Sequence, residues 1–373
     1  MLNLVEIETL EKEVLLKFGW IFKNSIEEFS TSVDITLGYL DKIILPTIIA
    51  SKIHKSYNPF SEIIEKYALH ILVNKLEKEN YRLLPLGYSS DLTLEFKDHI
   101  LNIDIKTANI DNPSDFRKTI PIGINQMTHA AKLRLNRRFL PYPYYVYPTI
   151  PPFYRIPNGE VKWNLTYGLM FIYPSYKDLI DEIRKKYLKL FDFFKKNVEN
   201  SLIPIIMANF KINKEKALEL LQKKPEKSPY ARNELITESI LRGFFIHEHL
   251  KGEFLKNLNF NSEEIENIEI FSNELKKFSG DLRKRDLKPI AIISISLPNG
   301  LLKEKYIDKI VSGKSYAKSA RYHYEDGIYE YIKEKKNEEF PRVLFIDLND
   351  TYLNKLKGYF DEINILDYKI KKL

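Results

Sequence analysis

The chain contains no cysteine. That absence excludes disulfides, thiolate zinc sites, iron–sulfur clusters and cysteine nucleophiles, and it fits a cytoplasmic setting. Long hydrophobic runs are absent too. The longest apolar stretch, Ile43 to Ala50, is far shorter than the roughly 20 residues that a membrane-spanning helix needs. At the N-terminus, Glu6 and Glu8 stand where a secretory leader carries Lys or Arg, so export is not expected. There is no internal repeat and no low-complexity tail. A strong charge of one sign is also missing: 58 Lys and Arg face 51 Asp and Glu, for a net +7. With a pI near 9.0, this modest excess is compatible with a polyanionic partner but does not demand one.

What is present is a globular composition. The chain has 373 residues, 44% of them hydrophobic, enough for one large domain or two ordinary ones. Residues 1 to 50 read as helices, Leu10 to Phe22 and Ser32 to Ala50. Asn58-Pro59 is a helix start, an Asn cap followed by Pro in the first turn. From there Phe60, Ile63, Ile64, Tyr67, Ala68, Ile71 and Leu72 recur at helical spacing. Tyr81 to Leu86 reads as a short strand, residues 91 to 107 as a hairpin, and Tyr167 to Tyr173 as a buried strand. Between them the sequence predicts a helix around Asn125 to Phe139, its C-terminal half strongly basic, then a proline- and tyrosine-rich loop from Pro141 to Pro157. Helices dominate beyond residue 177, with a lysine-rich joint at Lys223 to Pro229 and strands at Pro289 to Leu297 and Arg342 to Leu348. The expected class is α/β, a mixed central sheet flanked by helices, with an N-terminal helical region and a largely helical C-terminal half. The expected division is 1–55 helical, 56–176 core, and 177–373 for partner recognition or dimerisation.

The chemistry lies in the hairpin. Side chains alternate along a strand, so in Asn102-Ile103-Asp104-Ile105-Lys106 the isoleucines point one way and Asn102, Asp104 and Lys106 the other. An acid and a lysine in so apolar a strand are costly unless paired, hydrated or bound to metal. With Asp91 ahead of them they form a set suited to Mg²⁺-assisted phosphodiester hydrolysis. Asp91 and Asp104 would be hard carboxylate ligands, the Ile105 carbonyl an extra one, and Lys106 a cation for water or phosphate. Mn²⁺ is expected to substitute. An amphipathic hairpin with a solvated charged face has the same spacing, so a non-catalytic nucleic-acid-binding protein stays open. Glu95 is expected to be a solvated acid.

This stretch resembles the PD-(D/E)xK nuclease superfamily over residues 58 to 175. Asp91 precedes Asp104-x-Lys106, although Ser90 stands where the family's proline would be. The resemblance implies a glutamate from the preceding helix, with Glu65 better placed than Glu62. Among its branches the chain looks most like a type II restriction endonuclease, with a repair or recombination nuclease as the alternative. That reading implies double-stranded DNA as partner and a homodimer to match a palindromic site. It also implies DNA contacts at Asn109, Asn112, Ser114, Gln126 and Lys132. The basic-aromatic run Lys314, Lys318 and Arg321, with Arg283 to Arg285, would supply further contacts.

Overall fold

The structure is a computed structural model. It describes residues 4–39, 61–84, 90–116, 119–133, 145–157, 159–174, 177–222, 233–283, 289–312, 319–323 and 342–347. The chain divides into two compact units. One holds residues 1–33, 61–175 and 287–373, the other residues 34–60 and 176–286. The first unit therefore takes in the strands beyond residue 287, which the three-part division of the sequence assigns to the C-terminal region.

Two helices, α1 (Leu4–Asn24) and α2 (Ile26–Tyr39), open the chain, and α3 (Ser61–Leu76) follows. The first unit is built on a seven-stranded mixed sheet. Its strands are β1 (Arg82–Leu83), β2 (Leu92–Glu95), β3 (His99–Asn109), β7 (Phe153–Arg155), β8 (Val161–Tyr173), β9 (Ala291–Leu297) and β12 (Val343–Asp347), in the order β1-β2-β3-β8-β9-β12 with β7 on β8. A second sheet has five short strands, β4 (Thr119–Gly123), β5 (Ala131–Lys132), β6 (Tyr145–Val146), β10 (Ile310–Ser312) and β11 (Ser319–His323), in the order β4-β11-β10-β5-β6.

At the centre, β3 and β8 run parallel in register from His99↔Trp163 to Asn109↔Tyr173. Both faces of this pair are covered, which is why β8 reads as a continuous apolar run and not as an alternation. On one face Phe18 of α1 meets Tyr167 edge-on, and Phe22 and Phe29 of α1 and α2 meet Phe171. On the other, Met170 and Ile172 join Ile293 and Ile295 of β9 in one apolar cluster with Ile120 and Ile122 of β4 and Tyr322 of β11. The second sheet thus packs over the central one. The hairpin forms as expected, Leu92↔Ile103 to Glu95↔Ile100, and α3 packs on β3.

The expected helix over 125–139 differs from what the described residues show. Ile124–Gln126 is a single 3₁₀ turn, and Ala131–Lys132 is β5, paired with Val311 on one side and with β6 on the other. Strand partners distant in sequence override the local helical pattern there. The basic half of that segment, 134–139, and the joint at 223–229 lie outside the described residues.

The second unit is helical: α4 (Lys177–Phe210), α5 (Lys214–Gln222), α6 (Asn233–Ile246), α7 (Lys251–Asn257) and α8 (Ser262–Arg283). Phe194 of α4 contacts Phe244 and Phe260, while Ile203 and Ile206 close a smaller core with Ala217 and Leu221. A short helix, α9 (Lys303–Tyr306), returns to the first unit. Among the described residues no helix is long and apolar enough to cross a membrane.

Candidate active site

The site grows from the register of the hairpin. Continuing the β2–β3 ladder by one residue from Leu92↔Ile103 sets Asp91 opposite Asp104. On its other side Asp104 is paired with Gly168 of β8, so no side chain crowds the carboxylate from that strand. Alternation then decides the faces. Ile103 and Ile105 turn to one face, whereas Asn102, Asp104 and Lys106 share the face of Ala108, against which the second sheet packs. Both faces are buried: Asn102 and Asp104 are each 1% exposed, and the Lys106 side chain 33%.

Asp104 is consequently a carboxylate taken out of water beside an acid and a base. Lys106 Nζ lies 2.9 Å from Oδ1 and 2.8 Å from Oδ2, with hydrogen-bonding geometry met only at Oδ1. Oδ2 is buried without an aligned donor. Burial pushes the Asp104 carboxyl up to about 7; Lys106 opposes the rise and Asp91, within side-chain hydrogen-bonding reach, adds to it. Asp91 is held differently, its Oδ2 accepting the backbone N–H of Ile105 at 2.6 Å. In a strand the N–H and C=O of one residue point to the same side, so the Ile105 carbonyl is turned toward that edge as well. An under-satisfied buried oxygen, a second carboxylate across the ladder and a backbone carbonyl on the same edge are a donor set that fits a hard divalent cation.

A further residue completes the arrangement. Gln126, in the turn after β4, donates from Nε2 to Asp104 Oδ1, while its Oε1 accepts the Gly123 N–H at 2.7 Å. In the sequence Gln126 is a candidate DNA contact; in the structure it touches the buried aspartate. The available signal was the Gly123-x-x-Gln126 spacing, in which a glutamine reaches back to the first backbone N–H of a turn.

The other candidates fall elsewhere. Glu65 is partly buried on α3, and among the described residues no three His, Cys, Asp or Glu side chains form a group able to hold a metal. Asn109, Asn112 and Ser114 knit one loop: Asn109 Oδ1 accepts the Asp111 N–H at 2.8 Å, Asn112 donates to Asp115 at 2.6 Å, and Ser114 donates to Asn112 at 2.7 Å. Arg321 of β11 reaches the same loop, donating to the Ser114 carbonyl at 2.8 Å and to Thr119 at 3.1 Å. Lys132 pairs with Asp308. Lys314 and Lys318 lie outside the described residues. Glu95 is not simply solvated. It accepts from Arg82 Nε at 2.7 Å and from Lys162 at 2.6 Å, and the Lys162 bond is the main cause holding its carboxyl below the usual range.

Residues 3–178 match the family described as Type II restriction enzyme MwoI, N-terminal domain. No curated protein matches the chain. Among solved structures, the restriction endonuclease BglI bound to its DNA recognition sequence is similar at TM-score 0.46 and 14% identity, covering 92% of this chain and 91% of that one. The tetrameric restriction endonuclease SfiI bound to cognate DNA is similar at TM-score 0.42 and 11% identity, covering 93% of this chain and 86% of that one.

Proposed function

We propose, for a chain whose residues 3–178 match the model of the type II restriction enzyme MwoI N-terminal domain, the function of a type II restriction endonuclease that hydrolyses phosphodiester bonds at a specific short sequence in double-stranded DNA. The observation that carries this reading is the gathering of Asp91, Asp104 and Lys106 at one edge of a central hairpin, with Asp104 buried, near neutrality and lacking an aligned donor at Oδ2.

Asp91, Asp104 and the Ile105 carbonyl are the residues that would hold Mg²⁺, or Mn²⁺ in its place. Such an ion supplies an acidified water and charge neutralisation at a phosphate oxygen. The chain's own residues do the rest. The hairpin ladder fixes the spacing of the two acids, and the Ile105 N–H keeps Asp91 from turning away. Lys106, one-third exposed, can move from Asp104 to a phosphate oxygen or an attacking water once the carboxylate has another partner. Burial by the second sheet keeps bulk water from screening these charges. A homodimer acting on a twofold site and a cytoplasmic location belong to the same proposal. The loop at Asn109–Ser114 with Arg321, and the sequence run containing Lys314 and Lys318, are the DNA contacts this reading proposes.

The experiment is digestion of plasmid and phage DNA with Mg²⁺ or with EDTA, by the native chain and by Asp104→Ala and Lys106→Ala. Discrete Mg²⁺-dependent fragments, lost in both variants, are the expected result. Nicking or smearing that the variants lose would move the protein to a repair or recombination nuclease with the same centre. Absence of cleavage at several temperatures, with Mn²⁺ as well, would favour a non-catalytic DNA-binding protein.

A further inference from the structure

Gln126 stands between two elements of the first unit. Its side chain is anchored at one end on the last residue of β4, where Gly123 N–H donates to Oε1 at 2.7 Å, and at the other end on Asp104 of β3. The anchor settles which way the amide faces. The Gly123 N–H can only be met by the carbonyl oxygen, so the –NH₂ group must lie toward the carboxylate, where it is a donor to an acceptor. The seat itself is shaped for this side chain. A Cβ added at Gly123 would lie 2.5 Å from Gln126 Oε1 and 2.9 Å from its Cδ. The Gly123 backbone is ordinary extended chain, φ −71° and ψ 139°, so what an alanine there displaces is the end of the Gln126 side chain and not the fold.

We infer that Gln126, seated by Gly123, is a positioning residue of the nuclease centre that aims the Asp104 carboxylate at the divalent ion. The inference rests on the endonuclease reading above. With Oδ1 held by both the fixed amide and Lys106, the carboxylate is set in one orientation, and Oδ2, which has Lys106 Nζ at 2.8 Å but no aligned donor, is the oxygen presented for coordination. Since β4 pairs with β11 from Ser319↔Gly123 to His323↔Thr119, the second sheet holds the aim of an acid that belongs to the first. Partners that orient a metal-binding carboxylate in this way typically change metal affinity by 10–100-fold when removed.

The test is Mn²⁺ affinity of the full-length chain, read as free Mn²⁺ by electron paramagnetic resonance with and without phage DNA, for the native protein and for D104A, Q126A, G123A and G123A/Q126A. Melting temperatures of the same samples are recorded without metal. The expected result is that D104A abolishes the site, while Q126A and G123A each weaken it roughly tenfold or more. Their melting temperatures stay close to native. G123A adds nothing in the Q126A background, because it acts through the same side chain. Native affinity in Q126A, or additive losses in the double variant, overturns the positioning role while leaving the endonuclease reading intact. Mn²⁺ binding that is absent from the native chain, or indifferent to D104A, overturns both.

Discussion

Two buried acids in the first unit have opposite solutions to the same problem. Glu11 of α1 is fully buried, and burial raises its carboxyl, but its cation is buried with it. Arg342 Nη2 lies 2.9 Å from Oε2, the Asn299 N–H donates to Oε1 at 2.7 Å, and the Tyr167 hydroxyl donates to the Glu11 main-chain carbonyl at 2.8 Å. The arginine is itself buried over the Tyr306 ring, 4.2 Å from its centroid. Asp104 is almost as buried, yet its cation is one-third exposed where Arg342 is 2% exposed; each acid has one oxygen, Glu11 Oε2 or Asp104 Oδ2, beside its cation without an aligned donor. A cation buried with its acid joins the first helix to the residue that precedes β12. A cation within reach of solvent can leave its acid for another partner, and on the proposed endonuclease reading that difference would separate structural from chemical burial.

Variants can break that contrast. Arg342→Ala leaves Glu11 buried without its cation and should destabilise by about 3–5 kcal/mol, seen as a lower urea midpoint with an unchanged m-value. Lys106→Ala should leave the midpoint nearly in place but lower the cleavage rate by about 10²–10³-fold, equivalent to about 3–4 kcal/mol. Equal loss of stability in the two variants would erase the distinction. Asp104→Asn should abolish cleavage and stabilise the metal-free protein at pH 8, on the order of 1–3 kcal/mol.

The pH dependence sharpens the point. The Asp104 carboxyl sits near 7 in the fold and near 3.8 in the unfolded chain, so the native state binds its proton more tightly. The contribution of this group to stability is therefore fully present below about pH 4 and falls as pH rises to about 7. Metal should bind more tightly over that same interval, releasing close to one proton near pH 6, measurable by titration calorimetry in buffers of different ionisation enthalpy. The smallest effect is expected at the surface. Arg82, 74% exposed against Glu95, should cost no more than about 1 kcal/mol when changed to Ala.

How much of this was legible in the sequence depended on distance along the chain. The hairpin was, because period-two alternation and both acids fall within residues 91 to 107. So were α3 and the core of β8, each with a strong local pattern. The second sheet was not. Its strands are two to five residues long, come from segments as far apart as Thr119 and His323, and are defined by their partners more than by their own residues. The helix expected at 125–139 shows the cost: Ala131 and Lys132 are strand because Val146, Tyr145 and Val311 lie beside them. The contact of Gln126 with Asp104 was hidden for the same reason, since nothing local says that a turn residue lands on that acid. The Glu11–Arg342 pair, joined from opposite ends of the chain, has no local signature at all.

The bond from the Ile105 amide to Asp91 has a spectroscopic consequence. A backbone proton given at 2.6 Å to a carboxylate, and not to a neighbouring strand, is deshielded and slow to exchange. Its resonance belongs to the ladder of the central sheet, but its shift should respond to what the Asp91 carboxylate binds. Residue 105 is thus a built-in indicator: isotopic labelling of isoleucine, with the Ile105 signal assigned by its loss in Ile105→Val, would let one amide follow occupancy of the acidic edge without any DNA present.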